Sequence, residues 1–153
     1  MRVVSFVSTA VLLLVASGCD STSEPTTCEA GTLAVQDLVV GTGQAVNPGS
    51  TVSVRYVGRL ASGVVFDSTA TAPPGTTRFS LAQVVDGFQY GIGGTAGVTG
   101  LPAIEPMRLG GRRRITIPPT LGYGARPITN PATGATLIPS CSTLTFDVRL
   151  VDA

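Results

Sequence analysis

Along most of the chain, apolar residues recur at every second position, the period of a half-buried β-strand. The clearest run is Thr51 to Leu60. Val52, Val54, Tyr56 and Leu60 share one face with Gly58 between them, and Thr51, Ser53, Arg55 and Arg59 share the other. Leu144 to Val151 repeats the pattern, with Leu144, Phe146, Val148 and Leu150 inward and Thr145, Asp147 and Arg149 outward. Shorter runs predict three more strands. They are Leu33 to Val40, Val64 to Asp67 after a turn at Ser62 and Gly63, and Ile115 to Ile117. The last stops at Pro118 and Pro119, which cannot continue a ladder. Strands that are apolar on one side and polar on the other belong to antiparallel sheets.

One segment breaks the period. Leu81, Val84, Val85 and Phe88 fall at i, i+3, i+4 and i+7, which predicts a helix. Ser80 and Gln83 form a candidate capping box, and Gly91 is a candidate stop. Gly87 inside the helix costs about 1 kcal/mol relative to Ala, so the helix is short or broken there. The pattern as a whole describes a small α+β domain, one antiparallel sheet with one short helix against its apolar face. After the double proline the chain turns into Gly122-Tyr123-Gly124. A phenol held on such a turn is placed to meet a ligand.

Composition narrows the chemistry. Gly and Pro supply 30 of the 153 residues, and Trp and His are absent. Without His there is no Ser-His-Asp or Cys-His catalysis and no His-ligated metal. All ten basic residues are Arg, and beyond residue 18 nine of them face nine acids. A net charge of zero gives no support for nucleic-acid or polyanion binding. Arg112 to Arg114 read as the solvated start of a strand, not as an anion site.

The N-terminus reads as an export signal. Arg2 precedes an apolar stretch from Val3 to Val15, too short to span a membrane, and small residues lead into Cys19. Ala16-Ser17-Gly18-Cys19 resembles the lipobox of bacterial lipoproteins, although that family more often has Leu in place of Ala16. The resemblance implies a signal peptide over 1–18, lipid on Cys19, a flexible tether over 19–31 and a folded domain over 32–153. It places that domain in a bacterial cell envelope, joined to a membrane through the lipid only. An ordinary signal peptide with a free Cys19 fits the same residues. Cys28 and Cys141 remain. In an oxidising compartment an even pair suggests a disulfide, and two unpaired thiols are the alternative.

Four motifs in order carry a wider resemblance: VRYVGRLASGVVFDST, FSLAQVVDGF, GGRRRITIPPTLGYGA and STLTFDVRLVD. Together they resemble the FKBP-type peptidyl-prolyl cis-trans isomerases, over about Leu33 to Asp152. The resemblance implies a bent antiparallel sheet wrapped around one short helix, with a proline-binding pocket between them. It implies Phe88 as the pocket floor and Tyr56, Phe66 and Phe146 as walls. Asp67 would orient Tyr56, and the Val85 N–H and the Tyr123 hydroxyl would hold substrate carbonyls. Val84, Leu137 and Ile138 complete the substrate-binding set. No cofactor and no metal are implied. The partners implied are proline-containing polypeptides, with macrolides of the rapamycin type able to occupy the pocket, and the chain would act as a monomer.

This chain departs from the family pattern in places. Phe88 stands where many members have Trp, and Thr77 where an aromatic residue is common. Gly93 to Pro106 and Gly124 to Thr136 are Gly- and Pro-rich insertions with neither strand nor helix period. Long loops of this kind are often functional, and tolerated surface drift fits them equally. These departures leave room for a non-catalytic proline-binding chaperone, or for a structural envelope protein with a vestigial pocket.

Overall fold

The computed structural model describes residues 27–71 and 75–153. Eight strands and one α-helix follow in the order β1 (Ala34–Val39), β2 (Thr51–Leu60), β3 (Val65–Ser68), β4 (Thr77–Ser80), α1 (Asp86–Gly93), β5 (Arg112–Ile117), β6 (Ile128–Thr129), β7 (Thr136–Ile138) and β8 (Leu144–Asp152). The main sheet runs β1-β5-β8-β2-β3, with β4 also paired to β2, and every ladder is antiparallel. The C-terminal strand therefore lies mid-sheet. Alternation in β8 is as its sequence indicates: Leu144, Phe146, Val148 and Leu150 are buried, and the residues between them are more exposed. These side chains, with Val52, Val54, Ile115 and Ile117, form the core beneath α1.

The helix differs from the one its spacing indicates. Leu81–Gln83 is a single 3-10 turn, capped by the Ser80 hydroxyl, which accepts from the Ala82 N–H at 3.3 Å. Val84 and Val85 are extended, and α1 starts only at Asp86. Of the i, i+3, i+4, i+7 set, Leu81 and Phe88 are buried and Val84 and Val85 partly so, and the set belongs to two turns joined by an extended step. Gly91 does not stop the helix; it lies inside it, and Gly94 at φ 81° closes it with an N–H bond to the Tyr90 carbonyl. Gly87 and Gly91 are there for close approach. A Cβ on Gly91 would lie 2.6 Å from Cγ2 of Ile115, and one on Gly87 still closer to Ile117. Their bare backbone seats α1 directly on β5.

Arg112 to Arg114 are also corrected. The strand begins at Arg112, so its period turns Arg113 inward while Arg112 and Arg114 stay exposed. Arg113 is 3% exposed. It donates to both carboxylate oxygens of Asp37, at 2.6 and 3.0 Å, and to the carbonyls of Gly91 and Glu105, at 2.9 and 2.8 Å. The two insertions are ordered by local bonds. Buried Thr95 donates its hydroxyl to the Pro102 carbonyl and accepts from the Ile104 N–H, both at 2.8 Å. Gly124 to Thr136 contributes the β6–β7 hairpin, whose period the Gly- and Pro-rich sequence hides.

Cys28 and Cys141 form a disulfide, with Cα atoms 5.2 Å apart and a sequence separation of 113. Cys19 and the expected signal peptide lie outside the described residues. Loop closure of this length is worth about 4–5 kcal/mol. Reduction is therefore expected to lower unfolding stability by about that amount in denaturant titration, with free-thiol titration confirming that both sulfurs are released. Gly91→Ala is expected to cost about 1–3 kcal/mol by overpacking against Ile115; an unchanged denaturant midpoint would show that α1 does not need this contact.

Candidate active site

The concave face of the sheet and the first turn of α1 enclose a cavity of about 270 Å3. Phe88, on α1 and 4% exposed, forms its base. The Phe146 ring from β8 meets it edge-on at 4.9 Å between centroids, and Tyr56 from β2 meets it at 6.1 Å. Phe66 from β3 stands perpendicular to Phe146 at 5.5 Å. Such edge-to-face contacts suit the ring quadrupoles and hold each wall at a fixed angle. Gly58 makes the Phe66–Phe146 approach possible, since a Cβ there would lie 2.7 Å from Phe66 and 2.9 Å from Phe146.

The polar groups are few. The Tyr56 hydroxyl donates to a carboxylate oxygen of Asp67. The other oxygen of Asp67 accepts from the Ser68 N–H at 2.8 Å. Burial, and then the Asp67 carboxylate, push the Tyr56 phenol well above its ordinary value. Tyr123 is raised as well, by burial first and by the Asp67 charge second. Both phenols are therefore hydrogen-bond donors at neutral pH. Tyr123 sits on the turn after the double proline, where the Gly124 N–H bonds to the Pro119 carbonyl at 2.9 Å. The Gly124 carbonyl accepts from the Cys141 N–H at 2.8 Å, which ties this turn to the disulfide.

The pocket brings together Tyr56, Phe66, Asp67, Val84, Val85, Phe88, Tyr123 and Phe146 of the expected residues. It does not bring in Leu137 and Ile138. Ile138 is buried in the core and pairs with Ile128 in the hairpin, and Leu137 is exposed. Phe79 and Gln83 also line the pocket, with Phe79 5.6 Å from Phe88. Phe79 lies on β4, a strand without apolar alternation, and the signal for it was its place at the head of the motif FSLAQVVDGF. Six of the seven aromatic residues after residue 18 thus line one cavity.

A family model described as FKBP-type peptidyl-prolyl cis-trans isomerase matches residues 42–151. The chain belongs to this family. It is 37% identical over 118 residues to FK506-binding protein 4 of Chaetomium thermophilum, covering 77% of this chain and 20% of that protein. It is 32% identical over 127 residues to FK506-binding protein 3 of Candida albicans, covering 83% and 25%. The chain thus spans about a fifth to a quarter of the length of these curated relatives. Among solved structures, AtFKBP13 is similar with a TM-score of 0.67 and 35% identity, covering 79% of this chain and 93% of that one. FkpA from Escherichia coli is similar with a TM-score of 0.59 and 32% identity, covering 78% and 47%. The FKBP fold of these neighbours is the antiparallel sheet and single short helix described above.

The hydrogen bond from Tyr56 exists only while its phenol is protonated. Its contribution to stability is complete below the ordinary tyrosine value of about 10 and is lost as pH rises through the raised one. Asp67→Asn removes the charge that acts on both phenols. It is expected to bring the Tyr56 and Tyr123 titrations down, read as tyrosinate absorbance against pH. Unmoved titrations would mean that Asp67 does not govern the pocket's polarity.

Proposed function

We propose that this chain is a peptidyl-prolyl cis-trans isomerase that turns over X-Pro bonds in exported proteins and so assists their folding in a bacterial cell envelope. The observation that carries the reading is the cavity floored by Phe88 with a protonated Tyr123 at its rim. Rotating an X-Pro amide must cross a barrier of about 20 kcal/mol, because conjugation is lost in the twisted state. An apolar cavity strips water from the carbonyl, which disfavours the polar planar amide, and binding that favours the twisted geometry speeds exchange. Phe88 would carry the proline ring, with Tyr56, Phe66 and Phe146 as walls. The Val85 N–H and the Tyr123 hydroxyl would hold the flanking carbonyls, and Asp67 would fix Tyr56. Val84 belongs to the same wall. No nucleophile or proton transfer is required.

Location is part of the proposal. The Cys28–Cys141 disulfide suits an oxidising compartment, and the apolar Val3 to Val15 segment before Cys19 suits export and lipid attachment. Leader 1–18, lipidated Cys19, tether 19–31 and domain 32–153 follow from that reading, with the domain acting as a monomer and macrolides as competing ligands. A second reading, a non-catalytic proline-binding chaperone, is favoured by the flap side of the cavity, which Leu137 and Ile138 leave to Tyr123.

A protease-coupled isomerisation assay separates the two. Turnover is expected, and its absence with intact peptide binding would establish the binder. Tyr123→Phe deletes one hydrogen bond and is expected to lower kcat/KM about threefold to tenfold with little change in melting temperature. Phe88→Ala is expected to abolish turnover. Because it also empties a buried site, Phe88→Leu serves as the folded control, with activity reduced and the melting transition retained. Normal turnover in a folded Phe88→Ala variant would place the proline site elsewhere.

A further inference from the structure

The polar face of the sheet carries a feature that the pocket does not use. The alternation that sends Tyr56, Phe146 and Val148 toward the helix sends Arg55, Asp147 and Arg149 outward. Register then aligns the arginines. Arg55 lies opposite Arg149 across β2 and β8, and Arg149 lies opposite Arg112 across β8 and β5. Three guanidinium groups form one row on adjacent strands, about 10 Å across at ordinary strand spacing. In the next row Arg114 lies opposite Asp147 and pairs with it at 2.8 and 3.0 Å. Arg59 borders the same shallow recess as Arg55, Arg112 and Arg149. Arg78 and Asp152 both lie opposite Ser53, at one end of this face.

Six arginines thus share the face with two aspartates, and only Arg114 is in an ion pair there among the described residues. The zero net charge beyond residue 18 conceals this segregation: the remaining three arginines share the rest of the chain with seven acids. Like charges directly opposite one another on a sheet oppose folding. The recess holds four arginines and one carboxylate, Asp147, which is already paired with Arg114, and an external anion would relieve that excess. The face is broad and made of strands, which suits a plane of phosphates, and arginine's planar fork pairs phosphate oxygens two at a time.

The N-terminal segment bears on which plane this is. Glu29 to Thr32, just after the bonded Cys28, share a recess with Thr116 and Thr143. Thr116 lies opposite Thr145 on the polar face. The chain therefore leaves the fold at the border of the arginine face. In the anchor reading the lipid sits on Cys19, so Asp20 to Thr27, eight residues, reach at most about 28 Å from that border to the lipid. We propose that the Arg55–Arg149–Arg112 face docks on an anionic phospholipid surface and turns the proline pocket, on the opposite side of the same strands, toward the solution. The resulting orientation rests on the membrane-anchor reading above; attraction of the face to anionic lipid does not.

The test is arginine labelling of the full chain with phenylglyoxal, read residue by residue by mass spectrometry. The chain is combined with vesicles of phosphatidylcholine alone, or with a third of phosphatidylglycerol. In the anionic vesicles, labelling of Arg55, Arg112 and Arg149 is expected to slow about threefold or more, while Arg126 is unaffected. The protection is expected to vanish at about 0.5 M salt, where the screening length falls to about 4 Å. Flotation with the neutral vesicles reports the N-terminal anchor separately, so its failure is distinguishable from failure of the face. Equal labelling in both vesicle types overturns the proposal. So does protection by polyglutamate or inorganic polyphosphate without protection by phosphatidylglycerol, which would assign the face to a soluble partner. The variant R55Q/R112Q/R149Q, with no substitution in the pocket lining, is expected to keep or raise its melting temperature, to keep isomerase turnover and to lose protection of Arg59. Retained protection of Arg59 would also overturn the proposal.

Discussion

The buried guanidinium of Arg113 constrains the rest of the fold. A cation removed from water must be paired and hydrogen-bonded or it destabilises the structure that holds it. Arg113 satisfies this with four acceptors on three separate segments: the two Asp37 oxygens on edge strand β1, the Gly91 carbonyl in α1, and the Glu105 carbonyl in the long loop. None of these segments can shift without stranding the charge. Because Gly91 and Phe88 belong to one short helix, the clamp also sets the height of the pocket floor. Gly87 and Gly91 then let that helix rest on Ile117 and Ile115 without an intervening side chain. Electrostatics thus fixes the far end of α1 and sterics fixes its face, and between them Phe88 has one position.

Five of the eight strands, β1, β2, β3, β5 and β8, were legible in the sequence because each carries its signal locally, whereas the four-residue β4 shows no apolar alternation. Val52, Val54 and the four apolar residues of β8 show their burial through period 2 alone. The pocket aromatics were legible for a different reason: family motifs named Tyr56, Phe66, Phe88, Tyr123 and Phe146, and the fold gathers these five. Three other things were not legible. The break at Val84 and Val85 was hidden because a 3-10 turn and an α-helix separated by an extended step can mimic one continuous helical stripe. The burial of Arg113 was hidden because a run of three arginines reads as solvated until the strand start is known to be Arg112. The hairpin of β6 and β7 was hidden because its stability comes from pairing and not from apolar alternation.

The site shows why Leu137 and Ile138 stand apart from the other expected lining residues. Ile138 pairs with Ile128, so its side chain is committed to the core by the hairpin register. Tyr123 is left as the rim on that side, and it is secured from behind. Cys141 has φ 55°, a left-handed conformation unfavourable for a residue with a Cβ. It is held there by its sulfur bond to Cys28 and by its N–H bond to the Gly124 carbonyl. The disulfide therefore does more than shorten the unfolded chain; it also fastens the residue that follows Tyr123.

Pocket and arginine face are two readings of one register. Tyr56 and Arg55 are neighbours on β2, and Phe146 and Asp147 are neighbours on β8. The ladder that places Gly58 opposite Phe146 also places Arg55 opposite Arg149. Because side-chain direction has a period of two, a one-residue slip would exchange the two faces and bury the arginines. The cost of that exchange protects the register more strongly than either face does alone. It also means that the outer face can change composition freely only at positions that keep the inner aromatics in phase. Six arginines on one side and the four strand-borne pocket aromatics, Tyr56, Phe66, Phe79 and Phe146, on the other are compatible because each set keeps to its own parity along the strands.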